Sequence, residues 1–205
     1  MNYKYKEALN TAGLHKPDHE DHNAITPQRC SWCNLSNPLY VYYHDKEWGV
    51  PVHNDQKLFE MLVLESFQAG LSWECILNKR SAFRIAFDNF DYKKVALYDN
   101  NKLDELLQDS GIVRNRMKIA AAVTNANIFI KIQAEYGSFD KYIWSFTNGK
   151  TVYECGKASS PLSDIISNDL KRRGMKFAGT TIVYSYLQAV GVINSHDEKC
   201  WLHNE

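Results

Sequence analysis

No stretch of the 205-residue chain approaches the roughly 18 consecutive apolar residues of a membrane span. The polar N-terminus also lacks the apolar centre of a secretory leader. We therefore expect a soluble, cytoplasmic protein with no membrane association. Net charge is absent as well: Lys plus Arg and Asp plus Glu both number 24. That excludes a uniformly basic nucleic-acid-binding domain, so any such role must rest on local patches. Period-two alternation is nearly missing, which leaves room for few strands. The five cysteines are an odd count in a chain without an export signal, which favours thiols or metal ligands over disulfides. Disorder is excluded as the main state, because 44% of the residues are hydrophobic and 13% aromatic.

What the chain does have is helix after helix. Residues 1–28, with His15, His19 and His22, mixed charge and few large apolar side chains, read as a flexible extension. Residues 29–205 read as one compact all-α domain. Asp55 is placed to cap a helix running to about Ala69, with Leu58, Leu62, Glu65 and Ala69 on one face. Gly70 stops it, and Ser72 caps the next, towards Phe87. Asp91 and Asn101 are further N-cap candidates, and the segment from Asn101 ends at Gly111. A longer helix is expected from Arg114 to about Ile130, with Ile119, Val123, Ala126 and Ile130 inward. Ser138, Ser163 and Thr180 can each open another.

Three constellations could carry chemistry. Glu65 shares a helix face with Leu58 and Leu62, so the pattern points a carboxylate inward, where it needs donors or a cation. It either pairs with a Lys or Arg at the edge of the stripe or lines a ligand pocket. Trp32, Tyr40, Tyr42, Tyr43, Trp48 and Trp73 flank it in sequence, as ordinary core or as walls for a planar, electron-poor ring. A flipped, cationic nucleobase is such a ring. Second, Cys30 and His44 near the start, with His196 and Cys200 at the end, can make a tetrahedral Cys2His2 zinc site fastening the two ends together. Cys33 forms a Cys-x-x-Cys pair with Cys30 and leaves another choice of ligands open. Third, two basic runs lie at helix ends: Arg114, Arg116 and Lys118, then Lys171, Arg172, Arg173 and Lys176 before Gly179-Thr180-Thr181. Either run is a solvated helix end or a phosphate grip.

The runs Asn37-Pro38-Leu39-Tyr40, Tyr43-His44-Asp45 and Glu47-Trp48-Gly49-Val50-Pro51 closely resemble the bacterial DNA-3-methyladenine glycosylase I family. So do Leu64-Glu65, Gln68-Ala69-Gly70-Leu71-Ser72-Trp73, Trp144-Ser145-Phe146, Lys171-Arg172-Arg173-Gly174, Lys176-Phe177 and Gly179-Thr180-Thr181, with His196 and Cys200 closing the pattern. The resemblance covers roughly residues 29–203. It implies a helix-hairpin-helix fold with a structural zinc ion joining the ends of the core. It also implies a monofunctional enzyme that hydrolyses the N-glycosidic bond of 3-methyladenine in double-stranded DNA, acting as a monomer. By position, Glu65 matches the family's pocket glutamate, Tyr43 its base-contacting tyrosine, and Tyr40, Trp32 and Trp73 its aromatic walls. Leu71 matches the residue that plugs the gap left by the flipped nucleotide, and Cys30, His44, His196 and Cys200 match the zinc ligands. The other class to be weighed is a non-catalytic module on the same fold that recognises damaged DNA.

Overall fold

The computed structural model describes residues 27–203; all but the last two residues of the expected N-terminal extension, including its three histidines, lie outside them. Among the described residues there are nine α-helices: α1 (Pro38–Lys46), α2 (Asp55–Gln68), α3 (Trp73–Ala86), α4 (Tyr92–Val95), α5 (Asn100–Gln108), α6 (Arg116–Tyr136), α7 (Phe139–Ser145), α8 (Pro161–Arg172) and α9 (Thr180–Ala189). The expected all-α class holds. The strand content is one parallel pair, β1 (Val152–Tyr153) beside β2 (Ile193–Asn194), with Val152 opposite Ile193. No helix of the described residues is long and apolar enough to cross a membrane.

Helix α2 is the axis of the domain. Every residue from Leu58 to Phe67 is buried, as expected for a helix enclosed on all sides. Helices α3, α6, α7 and α9 pack around it. Aromatic rings fill the gaps: Phe59 meets Phe129 edge-on at 5.3 Å, and Phe67 meets Phe83 at 4.9 Å. Each such buried side chain contributes about 1.5–3 kcal/mol relative to exposure. Enclosing α2 places its two buried carboxylates, Glu60 and Glu65, inside the protein.

Several helix starts differ from the sequence reading. Asn54, not Asp55, caps α2 by accepting from the Lys57 N–H. The Asp55 carboxylate accepts instead from the backbone N–H groups of Phe139 and Asp140 and from the Gln133 side chain. It thus serves the N-terminus of α7 from a different helix. Asp99 rather than Asn101 caps α5. Ser160 caps α8, with Ser163 completing a reciprocal capping box three residues on. Helix α6 begins after Asn115 and runs on to Tyr136, where Gly137 adopts the left-handed C-cap.

The two ends of the domain meet because the chain after α9 crosses back under residues 49–52. Gly191 has φ +74°, and a Cβ there would lie 2.3 Å from the Val50 carbonyl carbon, so only glycine fits the crossing. The crossing leads through β2 to Ser195 and His196. The Trp201 N–H then bonds the Gln28 carbonyl at 2.9 Å, which joins the C-terminal turn to the first described residues.

Candidate active site and metal cluster

Trp32, Tyr40, Tyr43, Glu65 and Trp73 line a single cleft of about 460 Å³. Tyr40 and Tyr43 stand three residues apart on α1 and so face the same way. Tyr42, between them, lines a separate groove with Lys46 and Val50. Trp32 packs on Tyr40 at 5.5 Å between ring centroids, and Tyr43 packs on Trp73 at 5.1 Å. The walls are therefore two aromatic pairs with the carboxylate of α2 between them.

Glu65 is 3% exposed. Its Oε2 has no hydrogen-bond partner, and neither has the Trp73 indole N–H. Of the two readings left open by the sequence, pairing with a Lys or Arg does not occur; no ion pair involves Glu65 among the described residues. Burial alone pushes its carboxyl up to about 8. An unmatched acceptor and an unmatched donor thus sit in a cleft lined by aromatic faces. That arrangement can take up a flat ring whose edge donates and accepts hydrogen bonds.

The sequence reading missed part of this lining. Gln68, Ser185, Gln188, Lys157 and Asp197 also border the cleft, whereas Trp48, which borders it too, was among the aromatics expected around Glu65. Gln68 was legible in principle, since it follows Glu65 by one helical turn. Ser185 and Gln188 come from α9, which only the tertiary fold brings opposite α2.

Leu71 sits in the turn between α2 and α3, 41% exposed. Gly70 before it has φ +80°, a conformation that leaves the leucine standing out of the turn. The turn borders a smaller groove lined by Glu65, Gln68, Thr181, Ile182 and Ser185. An apolar side chain is therefore exposed beside the mouth of the carboxylate cleft.

The ligand atoms of Cys30, His44, His196 and Cys200 all lie within 4.8 Å of one another, and all four residues are buried. Cys30 Sγ is 3.4 Å from His196 Nδ1, and Cys200 Sγ is 3.5 Å from both His44 Nε2 and His196 Nδ1. The cluster could hold a metal ion. Cys33 is not part of it; its thiol points to the Tyr40 carbonyl. The other nitrogen of His44 is 2.8 Å from Asp45, which is gripped by both Arg29 Nε and Nη2 at 2.7 Å. Such an outer carboxylate fixes the ring and frees Nε2 for an ion. The cluster backs onto the cleft: Trp48 packs edge-on against His196 at 4.7 Å and against Trp32 at 4.7 Å.

The two basic runs are less free than the sequence suggests. Arg173 is bound by Asp169 and Glu135, and Arg172 by Asp169, whereas Lys171 and Lys176 remain exposed. In the other run, Arg116 pairs with Asp104 and Lys118 is buried.

The family model for methyladenine glycosylase matches residues 32–203. The chain is 43% identical over 179 residues to DNA-3-methyladenine glycosylase 1 of Escherichia coli K12, covering 84% of this chain and 95% of that protein. A crystal structure of 3-methyladenine DNA glycosylase I superposes with a TM-score of 0.83 at 42% identity, covering 86% of this chain and all of the other. A variant of such an enzyme in complex with 3-methyladenine superposes with a TM-score of 0.82 at 36% identity, covering 86% of this chain and 98% of the other. The buried carboxylate, its aromatic cleft and the exposed apolar turn thus stand on a chain that belongs to the methyladenine glycosylase family.

Proposed function

We propose that this protein is a base-excision repair glycosylase that removes 3-methyladenine from alkylated double-stranded DNA by hydrolysing its N-glycosidic bond. The observation that carries the reading is Glu65, a buried carboxylate without a partner in an aromatic cleft. Methylation at N3 leaves the adenine cationic, which weakens its bond to the sugar and makes the base a good leaving group. Water adds to C1′, the bond electrons return to the ring, and neutral 3-methyladenine, an abasic site and a proton result.

The protein's share of the work is extrusion, stacking and electrostatic selection. Trp32, Tyr40, Tyr43 and Trp73 form the walls that stack on the flipped base. Glu65 accepts hydrogen bonds from it. The cation restores the carboxylate form that burial disfavours, so lesion and ionised Glu65 stabilise each other. Normal adenine brings no charge and gains less. Leu71 fills the gap in the stack and offsets part of the few kcal/mol lost on unstacking. The α5–turn–α6 segment serves as the helix-hairpin-helix, its backbone amides on the phosphates.

Cys30, His44, His196 and Cys200 fit a structural zinc ion, which would tie the two ends of the domain together. The fit rests on the donor set: two buried thiols and two buried imidazoles whose ligand atoms lie together, plus the Asp45 carboxylate behind His44. Burial pushes the Cys30 thiol up to about 12, and a divalent cation is the partner that makes its thiolate tenable. Cys200→Ala is expected to lower metal content and melting temperature together; full zinc by elemental analysis in that variant would remove the assignment. The five unpaired cysteines support a cytoplasmic location.

The test is base release from methylated duplex DNA, with the freed base identified by chromatography. The wild type is expected to release 3-methyladenine, and Glu65→Ala to release little while remaining folded. A wild type that binds abasic DNA but releases nothing would make the protein a recognition module; full release by Glu65→Ala would take Glu65 out of the mechanism.

A further inference from the structure

Lys118 stands at the third position of α6, where a surface lysine would be ordinary, yet it is only 7% exposed. Its Nζ donates to the Phe67 carbonyl at 2.8 Å and to the Ala69 carbonyl at 2.6 Å. The first is among the last carbonyls of α2, which have no partner inside their own helix, and the second belongs to its C-cap residue; a cation at that end also meets the negative pole of the helix. Water could satisfy exposed carbonyls at less cost than a buried ammonium, whose charge burial disfavours. What the lysine adds is a fixed distance between two segments remote in sequence.

A second lysine makes the reverse connection. Lys79 of α3 reaches across to the turn between α5 and α6, with its Nζ 3.1 Å from the Ser110 carbonyl and 3.2 Å from that of Gly111. The turn is close against α3 here: a Cβ on Gly111 would lie 2.9 Å from the Ala82 Cβ. The α2–α3 turn carries Leu71, and its shape is held by the Leu71 N–H bonding the Gln68 carbonyl and by Ser72 capping α3. One lysine runs from α6 to the α2–α3 turn, the other from α3 to the α5–α6 turn.

We propose that Lys118 and Lys79 are positioning residues that lock the leucine-bearing turn and the α5–α6 turn into one rigid DNA-reading edge. This rests on the glycosylase reading given above. With the α5–α6 turn on the phosphate backbone, the ties set how far and at what angle Leu71 enters the stack. Neither lysine touches the base. Their effect therefore falls on extrusion from a duplex and spares the pocket itself.

The experiment compares wild type, Lys118→Met, Lys118→Arg and Lys79→Met in four assays: single-turnover release of 3-methyladenine from methylated duplex, the same from methylated single strand, affinity for free 3-methyladenine by tryptophan fluorescence, and affinity for an abasic duplex. Since misplacing a group by about 1 Å costs about 100-fold, Lys118→Met is expected to lose about that factor on the duplex. Release from single strand should fall far less, and free-base affinity should not change. Lys118→Arg should recover part of the loss, and Lys79→Met, which lies nearer the surface and should fold normally, should show the same split at smaller size. Equal losses in all four assays, or unchanged duplex release and abasic binding in folded Lys118→Met and Lys79→Met, would overturn the proposal. If wild type releases no base at all, the glycosylase reading fails, and the abasic-duplex affinities of the variants alone decide whether the ties position the edge.

Discussion

Glu60 and Glu65 lie on the same helix, five residues apart, and both are buried, yet their surroundings are opposite. Around Glu60 three cations gather: Arg80 Nε at 2.7 Å, Arg84 Nη2 at 2.8 Å and Lys57 Nζ at 3.6 Å. Arg80 also holds both oxygens of Glu47, at 3.0 and 2.9 Å. Burial pushes these carboxyls up, but Arg80 and Lys57 more than reverse it; Glu47 is held down to about 2, and Glu60 is also held below its ordinary range. Glu65 has no ion-pair partner among the described residues, and burial acts unopposed. Three basic side chains thus gather on one carboxylate and none on its neighbour, and on the proposed function the second is the one that a base from outside completes. The difference separates a fastening of α1, α2 and α3 from a binding site more sharply than burial does, since burial is common to both.

The most severe way to break this comparison is to strip Glu60 of its main partner. Arg80→Met leaves the buried Glu60 and the half-buried Glu47 with Lys57 and a half-exposed Arg84, and breaking a buried pair from one side costs about 3–5 kcal/mol. A urea melt should show that loss, while base release per folded molecule stays near wild type, because Arg80 does not line the cleft. The loss should depend on pH. Glu47 and Glu60 have lowered values, so the stability they contribute is present above 4.5 and fades as pH falls below it, for Glu47 towards about 2. Wild-type stability with lost excision in Arg80→Met would exchange the roles of the two carboxylates.

A milder intervention gives Glu65 what Glu60 already has. Gln68 lies one turn further along α2 and lines the same cleft, so Gln68→Lys puts an ammonium within reach of the carboxylate. The ion pair would keep Glu65 ionised but cancel its attraction for a cationic base. Base release should fall by about 100-fold, or about 2.7 kcal/mol, with the fold retained. Unaltered release would mean that charge is not what Glu65 contributes.

Much of this contrast was legible in the sequence, but only one side of it. The three-four spacing of Leu58, Leu62 and Glu65 turned Glu65 inward, and the Gly70-Leu71-Ser72 turn and the helices from α2 onward followed from capping and breaking residues, but α1, which carries Tyr40, Tyr43 and His44, was not read as a helix. The ring of cations around Glu60 did not show, because Arg80 and Glu47 come from other helices and their meeting is set by packing. The same limit explains Asp55, a good cap for its own helix by local rules that instead serves α7. Lys118 read as part of a basic run because Arg114 and Arg116 precede it; only the nearby end of α2 makes it a buried donor. The cysteine and histidine set was visible as residue types, and the choice of Cys30 over Cys33 needed the coordinates.

The smallest effect is also the most diagnostic, because its sign differs between the two carboxylates. Glu65 has a folded value of about 8 against an ordinary 4.5, so between those limits the folded protein holds a proton that the unfolded chain has released. Stability then falls as pH rises through that window, the reverse of the slope contributed by Glu47 and Glu60. Glu65→Gln removes the titration and keeps the shape. The variant should match wild type near pH 4.5 and become more stable than it as pH approaches 8, by about 1–3 kcal/mol, the usual desolvation cost of an unpaired buried polar group. Urea melts at a series of pH values measure this directly. A Glu65→Gln variant less stable than wild type at pH 8 would mean that the carboxylate has a partner in the free protein, and Glu65 would then belong with Glu60 as part of the fastening. If the gain appears, ionised Glu65 is a cost to the free protein that a cationic base can relieve, and stability and recognition are two readings of the same missing partner.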